Sequence, residues 1–370
     1  MPSRQRTVTA PGVVKHIDPD LMEDTGSGLD FGTRPDRMLG HVTPVDRFFL
    51  RSHAPTPDVD LQRWRLHVHG DAVQHPHTYT YHQLWNEFPL FSKVLTIECA
   101  GNRRVLFGQE TGVKFDGTQW GRGAISTAEW TGVRLRDLLE PSGVCADACE
   151  VMAESFDDIS ARRPLPMAKA TADDTLVALA MNGQTLPPDH GFPARLVVSG
   201  WLGAASIKWL HRFDVTSQPH PVPWTTIDYV IARHDYPADG PALGPAITAL
   251  TVSSLVELPW PAELVCEPQI VRGRAYAGEN PVAAVEYRID DGPWTRATIT
   301  TAAESGVWVR WQFGWHPEPG DYLLRVRATD SRGNTQTETT PHNELGYLHE
   351  SVLAHPISVV RGIPETTSSG

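Results

Sequence analysis

Cys99 is followed by Ala100, Gly101 and Asn102, and then by two consecutive arginines, Arg103 and Arg104. Cations beside a thiol favour the thiolate, which can serve as a nucleophile, a redox centre or a soft metal ligand. Each role needs a companion. A nucleophile needs a base, and the local sequence identifies no histidine for it. A redox thiol needs a resolving cysteine, and none lies nearby. A metal ligand needs further donors, and no second Cys or His stands at a ligand-like spacing. A metal at Cys99 would therefore draw its other donors from a cofactor; a buried, inert thiol stays open at this point.

Two further segments concentrate charge. "PPDHGFPARLVVSG" (187–200) crowds Asp189, His190 and Arg195 into a turn bounded by Pro188 and Pro193, and "SIKWL" (206–210) adds Lys208. An imidazole, a guanidinium and an ammonium this close can form an anion pocket suited to phosphate, or a solvated basic loop. In "DRFFLRSHAPTP" (46–57), Arg51 and His53 follow two phenylalanines. That pattern fits either a ligand-facing cation or an amphipathic surface. A histidine-rich run, "HVHGDAVQHPHTYTYH" (67–82), puts His67 and His69 on one strand face, a geometry a metal could use. No carboxylate completes a ligand pattern within that run, so surface histidines are the simpler reading.

The elements that position these residues divide into two regions. At 370 residues, with 40% hydrophobic and 21% charged residues, the chain has the composition of a soluble globular protein of two domains. A net charge of −12 argues against nucleic acid or an anionic membrane as partner. Four cysteines are too few for a disulfide framework, and Cys145/Cys149 is not a CxxC pair. The N-terminus has no apolar leader-like core, and no stretch approaches a transmembrane helix, so a cytoplasmic location is expected.

Residues 1–40, polar and rich in Gly, Asp and Pro, are expected to form an extended arm. Over 41–236, strands are expected at 63–70, before Cys99, at 150–156 and at 194–200, with short helices near 79–88 and, after a turn, within 126–143. "DDTLVALAMNG" (173–183) fits helix or strand. The mixture predicts an α+β domain. "PADGPALGPAI" (237–247) reads as a connector. Beyond it, "AVEYRIDDGPWTRATI", "GVWVRWQFGW" and "GDYLLRVRATDSRGN" are short β-rich runs divided by turn residues, which predicts an immunoglobulin-like sandwich over 245–362. The final "ETTSSG" is expected to fray.

Taken together, these segments resemble the sulfite oxidase family of molybdopterin enzymes, which includes the assimilatory nitrate reductases. "ECAGNRR" resembles the family's molybdenum-cysteine loop, "DHGFPAR" with "SIKWL" its pterin-phosphate segment, and "FFLRSH" its FxRNH cofactor segment. "PWTTIDY" (223–229) resembles the element carrying the active-site tyrosine, and the region after 245 resembles the dimerisation domain. The likeness runs in order from about residue 40 to 362.

The resemblance implies a mixed α+β molybdopterin-binding domain of the sulfite oxidase fold at 41–236, followed by an immunoglobulin-like dimerisation domain at 245–362. It implies molybdenum bound to molybdopterin, with Cys99 as the single protein ligand. His190, Arg195 and Lys208, with the Ser206 and Ile207 backbone, would hold pterin and phosphate; Phe49, Leu50, Arg51, Ser52 and His53 would line the cofactor, and Asp157 would contact it. Arg51, Arg104 and Tyr229 would face a small oxyanion, most simply sulfite. The implied reaction is oxygen-atom transfer, with two electrons leaving singly to a separate acceptor such as a cytochrome or oxygen, since residues 1–40 offer no room for a haem or flavin domain. Homodimers are implied as well.

Two positions depart from the family pattern. Ser52 replaces an asparagine, and Leu345 stands before Gly346 where sulfite oxidases carry a substrate-side arginine. Nitrate, another oxyanion or an S-oxide therefore stands as the alternative substrate. A metal-free cysteine enzyme and a non-catalytic homologue used in adhesion are the rival classes.

Overall fold

The computed structural model describes residues 6–10, 13–233 and 242–361. The boundary expected near Tyr236, part of the 237–247 connector and the terminal "ETTSSG" lie outside these residues. The chain forms two compact units: 1–34, 42–250 and 341–349 make the first, and 35–41, 251–340 and 350–370 the second.

The first unit contains two main sheets. One runs in the order Arg162–Pro166, Glu150–Ser155, Leu210–Thr216, Leu66–His69, His77–Tyr79. The other runs Gln184–Thr185, Thr175–Met181, Ile125–Arg134, Phe91–Glu98, and Arg195–Val198 also pairs with Thr175–Met181. Strand Phe91–Glu98 is zipped antiparallel to Ile125–Arg134, from Phe91 opposite Gly132 to Glu98 opposite Ile125. Thr175–Met181 is buried along its whole length, which explains why its apolar run fitted both helix and strand: a strand covered on both faces loses its alternation.

The unit holds fewer helical residues than the sequence led us to expect. The longest helix is Arg104–Thr111, and the one expected within 126–143 is only Leu135–Leu139. The preceding "STAEWTG" is strand and not turn. Its hydroxyls are satisfied in place: Ser126 Oγ lies 2.9 Å from Thr33 Oγ1, and Thr131 Oγ1 lies 2.7 Å from Ser92 Oγ. No helix among the described residues is long and apolar enough to cross a membrane.

The expected arm is folded. Met22–Asp24 pairs with Phe31–Thr33, and Phe31 exchanges both backbone hydrogen bonds with Leu50 at 2.9 and 2.8 Å. Ile17, Met22, Phe31 and Leu50 form a small buried cluster. The Thr33 N–H donates to Gly123 O, and a Cβ built on Gly123 would stand 1.9 Å from Thr33 O. This close approach of two backbones ties the hairpin to the main sheet.

The second unit has two sheets around one core. Ser253–Val256, Gln269–Tyr276, Val309–Trp315 and Thr298–Ile299 make the first. Ala262–Val265, Ala354–Val360, Gly320–Asp330, Val282–Ile289 and Thr295–Arg296 make the second. Val271, Val309 and Trp311 from one sheet share a buried cluster with Val285, Leu324 and Ile357 from the other.

Gly123→Ala should destabilise the protein by about 2–4 kcal/mol, because backbone on both sides must shift to admit the methyl group. Urea denaturation checks this; a change within error would mean that the hairpin is not anchored there.

Candidate active site

Strand Phe91–Glu98 ends one residue before Cys99, so a rigid element delivers the thiol. The Cys99 N–H donates to Ala124 O at 2.9 Å, and Cys99 O accepts from the Asn102 N–H at 2.9 Å. The Asn102 side chain stitches the loop, donating to Glu98 Oε1 at 2.7 Å and accepting from the Ala124 N–H at 3.1 Å. Arg103 then takes a left-handed conformation (φ 67°) and turns its buried side chain to Glu98 and to His349 O. Only one of the consecutive arginines acts electrically on Cys99. Burial pushes the thiol up, and Arg51, the Gly101 N–H and Arg104 oppose it. Arg104 thus favours the thiolate as expected, Arg51 more strongly, and desolvation works against both.

One pocket gathers residues from five segments distant in the chain. Phe49, Leu50, Arg51, Ser52 and His53 line it together with Cys99 and Asp157. His190, Arg195, Ser206, Ile207, Lys208 and Tyr229 complete this set. Arg104 is not among the lining residues. Its Nε donates to Leu345 O at 3.2 Å, its Nη1 to Thr118 O at 2.7 Å, and its guanidinium lies 4.9 Å from the centre of the Tyr347 ring. These contacts hold it behind the pocket and not in its wall.

The basic part of the pocket is built on Arg195. This side chain is 5% exposed, donates to His190 O and Ser206 O at 3.1 Å each, and has an Nε without a partner among the described residues. Burial alone pushes its pKa down to about 9. Lys208 Nζ donates to Ser52 Oγ at 2.7 Å and Asp189 O at 2.9 Å. Gly191 (φ 107°) brings the two cations' stems together, since a Cβ there would lie 2.9 Å from Arg195 Cβ and 3.1 Å from Lys208 Cβ. A buried guanidinium without a carboxylate is costly unless an anion supplies the countercharge, so this end suits a phosphate.

Elsewhere in the pocket, the Tyr229 hydroxyl shares a 2.8 Å hydrogen bond with His53 Nε2. Burial raises the Tyr229 pKa, so the phenol keeps its proton. Burial, Arg51 and Lys208 push His53 down to about 3, so the imidazole is neutral. Trp224 packs against both rings, at 4.7 Å from His53 and 5.3 Å from Tyr229. Tyr347, two residues after Leu345, stacks on Tyr229 at 5.7 Å.

Several contributors escaped the sequence reading. Trp224 lies inside the quoted "PWTTIDY" and could have been included. Asp30, whose buried carboxylate receives Arg51, and Arg163, buried beside the Tyr229 ring, carried no sequence signal. In the histidine run, one carboxylate from another strand approaches, Asp214 lying 3.4 Å from His69. No metal-holding group of three such residues occurs among the described residues.

The family model "Oxidoreductase molybdopterin binding domain" matches residues 53–224. The chain is 34% identical over 317 residues to sulfite oxidase of Gallus gallus, covering 80% of this chain and 68% of that protein. It is 33% identical to mitochondrial sulfite oxidase of Mus musculus over 82% of this chain, and it spans 59% of the mouse protein's length. The crystal structure of the sulfane dehydrogenase SoxCD from Paracoccus pantotrophus superposes with a TM-score of 0.79 at 27% identity, covering 90% of this chain and 87% of that one. The first unit thus has the fold of a molybdopterin-binding oxidoreductase domain. The chain belongs to the sulfite oxidase family of molybdopterin oxidoreductases.

The His53 environment has a pH signature. The unfolded chain binds a proton below pH 6.5, whereas the folded chain refuses it until about pH 3. This group therefore removes stability as pH falls through that window, on the order of 2 kcal/mol by pH 5. Melting curves of wild type and His53→Gln should show a smaller loss between pH 7 and pH 5 in the variant; parallel losses would mean that His53 takes its proton in the folded state.

Proposed function

We propose that the protein oxidises sulfite to sulfate, passing electrons to a separate acceptor. The observation that carries this reading is the convergence, in one pocket, of a half-buried thiol at a strand end, an Arg195 without a carboxylate partner, and Arg51 with Tyr229.

When bound, molybdenum on molybdopterin supplies oxygen-atom transfer and two-electron redox capacity. The polypeptide supplies the remainder. Cys99 would give one thiolate to the metal, and coordination would offset the desolvation that otherwise keeps this sulfur protonated. Arg195, Lys208 and His190 would hold the cofactor's phosphate, with the Ser206–Ile207 backbone and Asp157 contacting the pterin. The segment Phe49–His53 lines the cofactor and turns Arg51 toward the substrate anion. Tyr229 keeps its proton and can donate a hydrogen bond to a substrate oxygen, while neutral His53 and Trp224 hold the phenol in place. The low exposure of these groups excludes water and strengthens each of their hydrogen bonds. The second unit is read as an immunoglobulin-like domain through which two chains pair.

One observation favours a second substrate class. Leu345 brings no cation, and Arg104 spends its guanidinium on Leu345 O, Thr118 O and the Tyr347 ring. An anion site with fewer free cations suits a less charged sulfur or nitrogen oxide, nitrate or an S-oxide included.

Sulfite-dependent reduction of ferricyanide should rise in proportion to molybdenum content across preparations. Full molybdenum without turnover would remove sulfite and leave the second class. Cys99→Ser should retain pterin by fluorescence but lose at least about 10²-fold in kcat; near-normal turnover would exclude Cys99 as the metal ligand.

A further inference from the structure

Asp30 is only 2% exposed, and its carboxylate receives three donor groups. Both oxygens lie 3.1 Å from Arg51 Nη1, Oδ1 accepts the Ser52 N–H at 3.0 Å, and Oδ2 accepts the Thr118 hydroxyl at 2.8 Å. Arg51 Nη1 also donates to Ser52 O at 2.9 Å. Among the described residues, every hydrogen bond of the Arg51 guanidinium runs through Nη1, so Nε and Nη2 are left for the pocket that Arg51 lines. Burial works against the Arg51 charge, and the Asp30 carboxylate beside it opposes that penalty. The guanidinium is thus kept charged, held by one nitrogen, and paired with a carboxylate that water cannot screen.

We propose that Asp30 is a positioning residue that determines anion specificity: it fixes Arg51 by Nη1 and cancels much of the positive charge that Arg51 would otherwise present. A buried opposite charge about 3 Å away reduces a full charge to a dipole, whose field falls off faster with distance. The pocket then recognises a tetrahedral oxyanion by directed N–H groups more than by net charge, and discriminates weakly between a dianion and a monoanion of the same shape. Leu345 and the tied-up Arg104 act in the same direction, since neither adds a free cation. The proposal rests on the anion-binding role given to Arg51 above.

Calorimetric titration of molybdenum-replete protein with sulfate and with perchlorate, two tetrahedral anions of different charge, tests it. Asp30→Asn keeps an acceptor oxygen for Arg51 and Ser52 but removes the negative charge. Sulfate should then bind about three- to ten-fold more tightly, perchlorate should gain much less, and the salt dependence of sulfate binding should steepen. Arg51→Gln should abolish the gain in the double variant. A purely structural role would weaken both anions together. Sulfate binding unchanged or weaker in folded Asp30→Asn would overturn the proposal. If that variant does not fold, wild type decides: sulfate more than about ten-fold tighter than perchlorate overturns it, and comparable affinities support it. Sulfite turnover is measured alongside; none in wild type, with the sulfate shift intact, would remove sulfite as substrate and leave the role of Asp30 standing.

Discussion

A guanidinium buried without a carboxylate is the constraint around which the first unit is arranged. Arg195 sits at the start of a buried strand, its two terminal nitrogens donating to backbone carbonyls and its Nε unsatisfied among the described residues. Two backbone carbonyls and the Trp130 ring, 4.9 Å from the guanidinium, repay part of its desolvation, but no carboxylate does, which leaves a charge that a bound anion would complete. Gly191 is required there because any side chain would push the Arg195 and Lys208 stems apart. The same logic runs in reverse at Arg51, where the chain provides its own anion.

The pocket therefore treats its two lining guanidiniums in opposite ways. One has no carboxylate partner, as suits the proposed phosphate site; the other is paired in advance with Asp30 and, in the proposed reading, faces an anion that comes and goes. Affinity for a resident cofactor and modest affinity for a passing anion call for this difference, because a product held by a full unpaired charge would leave slowly. The neutral His53–Tyr229 hydrogen bond fits the same pattern, supplying direction without adding charge.

The sequence disclosed what was local and hid what was distant. "ECAGNRR", "DHGFPAR" and "FFLRSH" could be read because each packs its chemistry into a few consecutive residues, and the pocket does collect Cys99, Arg195 and Arg51. Asp30 could not be read. It lies 21 residues from Arg51 in a polar stretch that looked like an arm, and only the pairing of Phe31 with Leu50 brings it inward. Arg104 misled because adjacency to Cys99 suggested a shared direction, whereas the left-handed turn at Arg103 sends the two arginines to different partners. The strand at 125–134 was expected to begin with a turn because Ser, Thr and Gly often mark turns; here the Ser126 and Thr131 hydroxyls find partners in neighbouring segments instead.

Residues 341–349 belong to the first unit, yet in the chain they lie between segments of the second. The Leu348 N–H donates to Ala100 O, beside Cys99, and the Leu345 carbonyl receives Arg104. A ribosome must thus reach residue 348 before the loop around the cysteine can acquire this backbone partner. The order of assembly follows from that connectivity: the strands of the first unit can pair early, but the surroundings of the thiol are completed only after the strands through Asp330 have emerged. A large cofactor would consequently meet a finished site only after this late segment has emerged, long after the strands that carry Cys99 and Arg195.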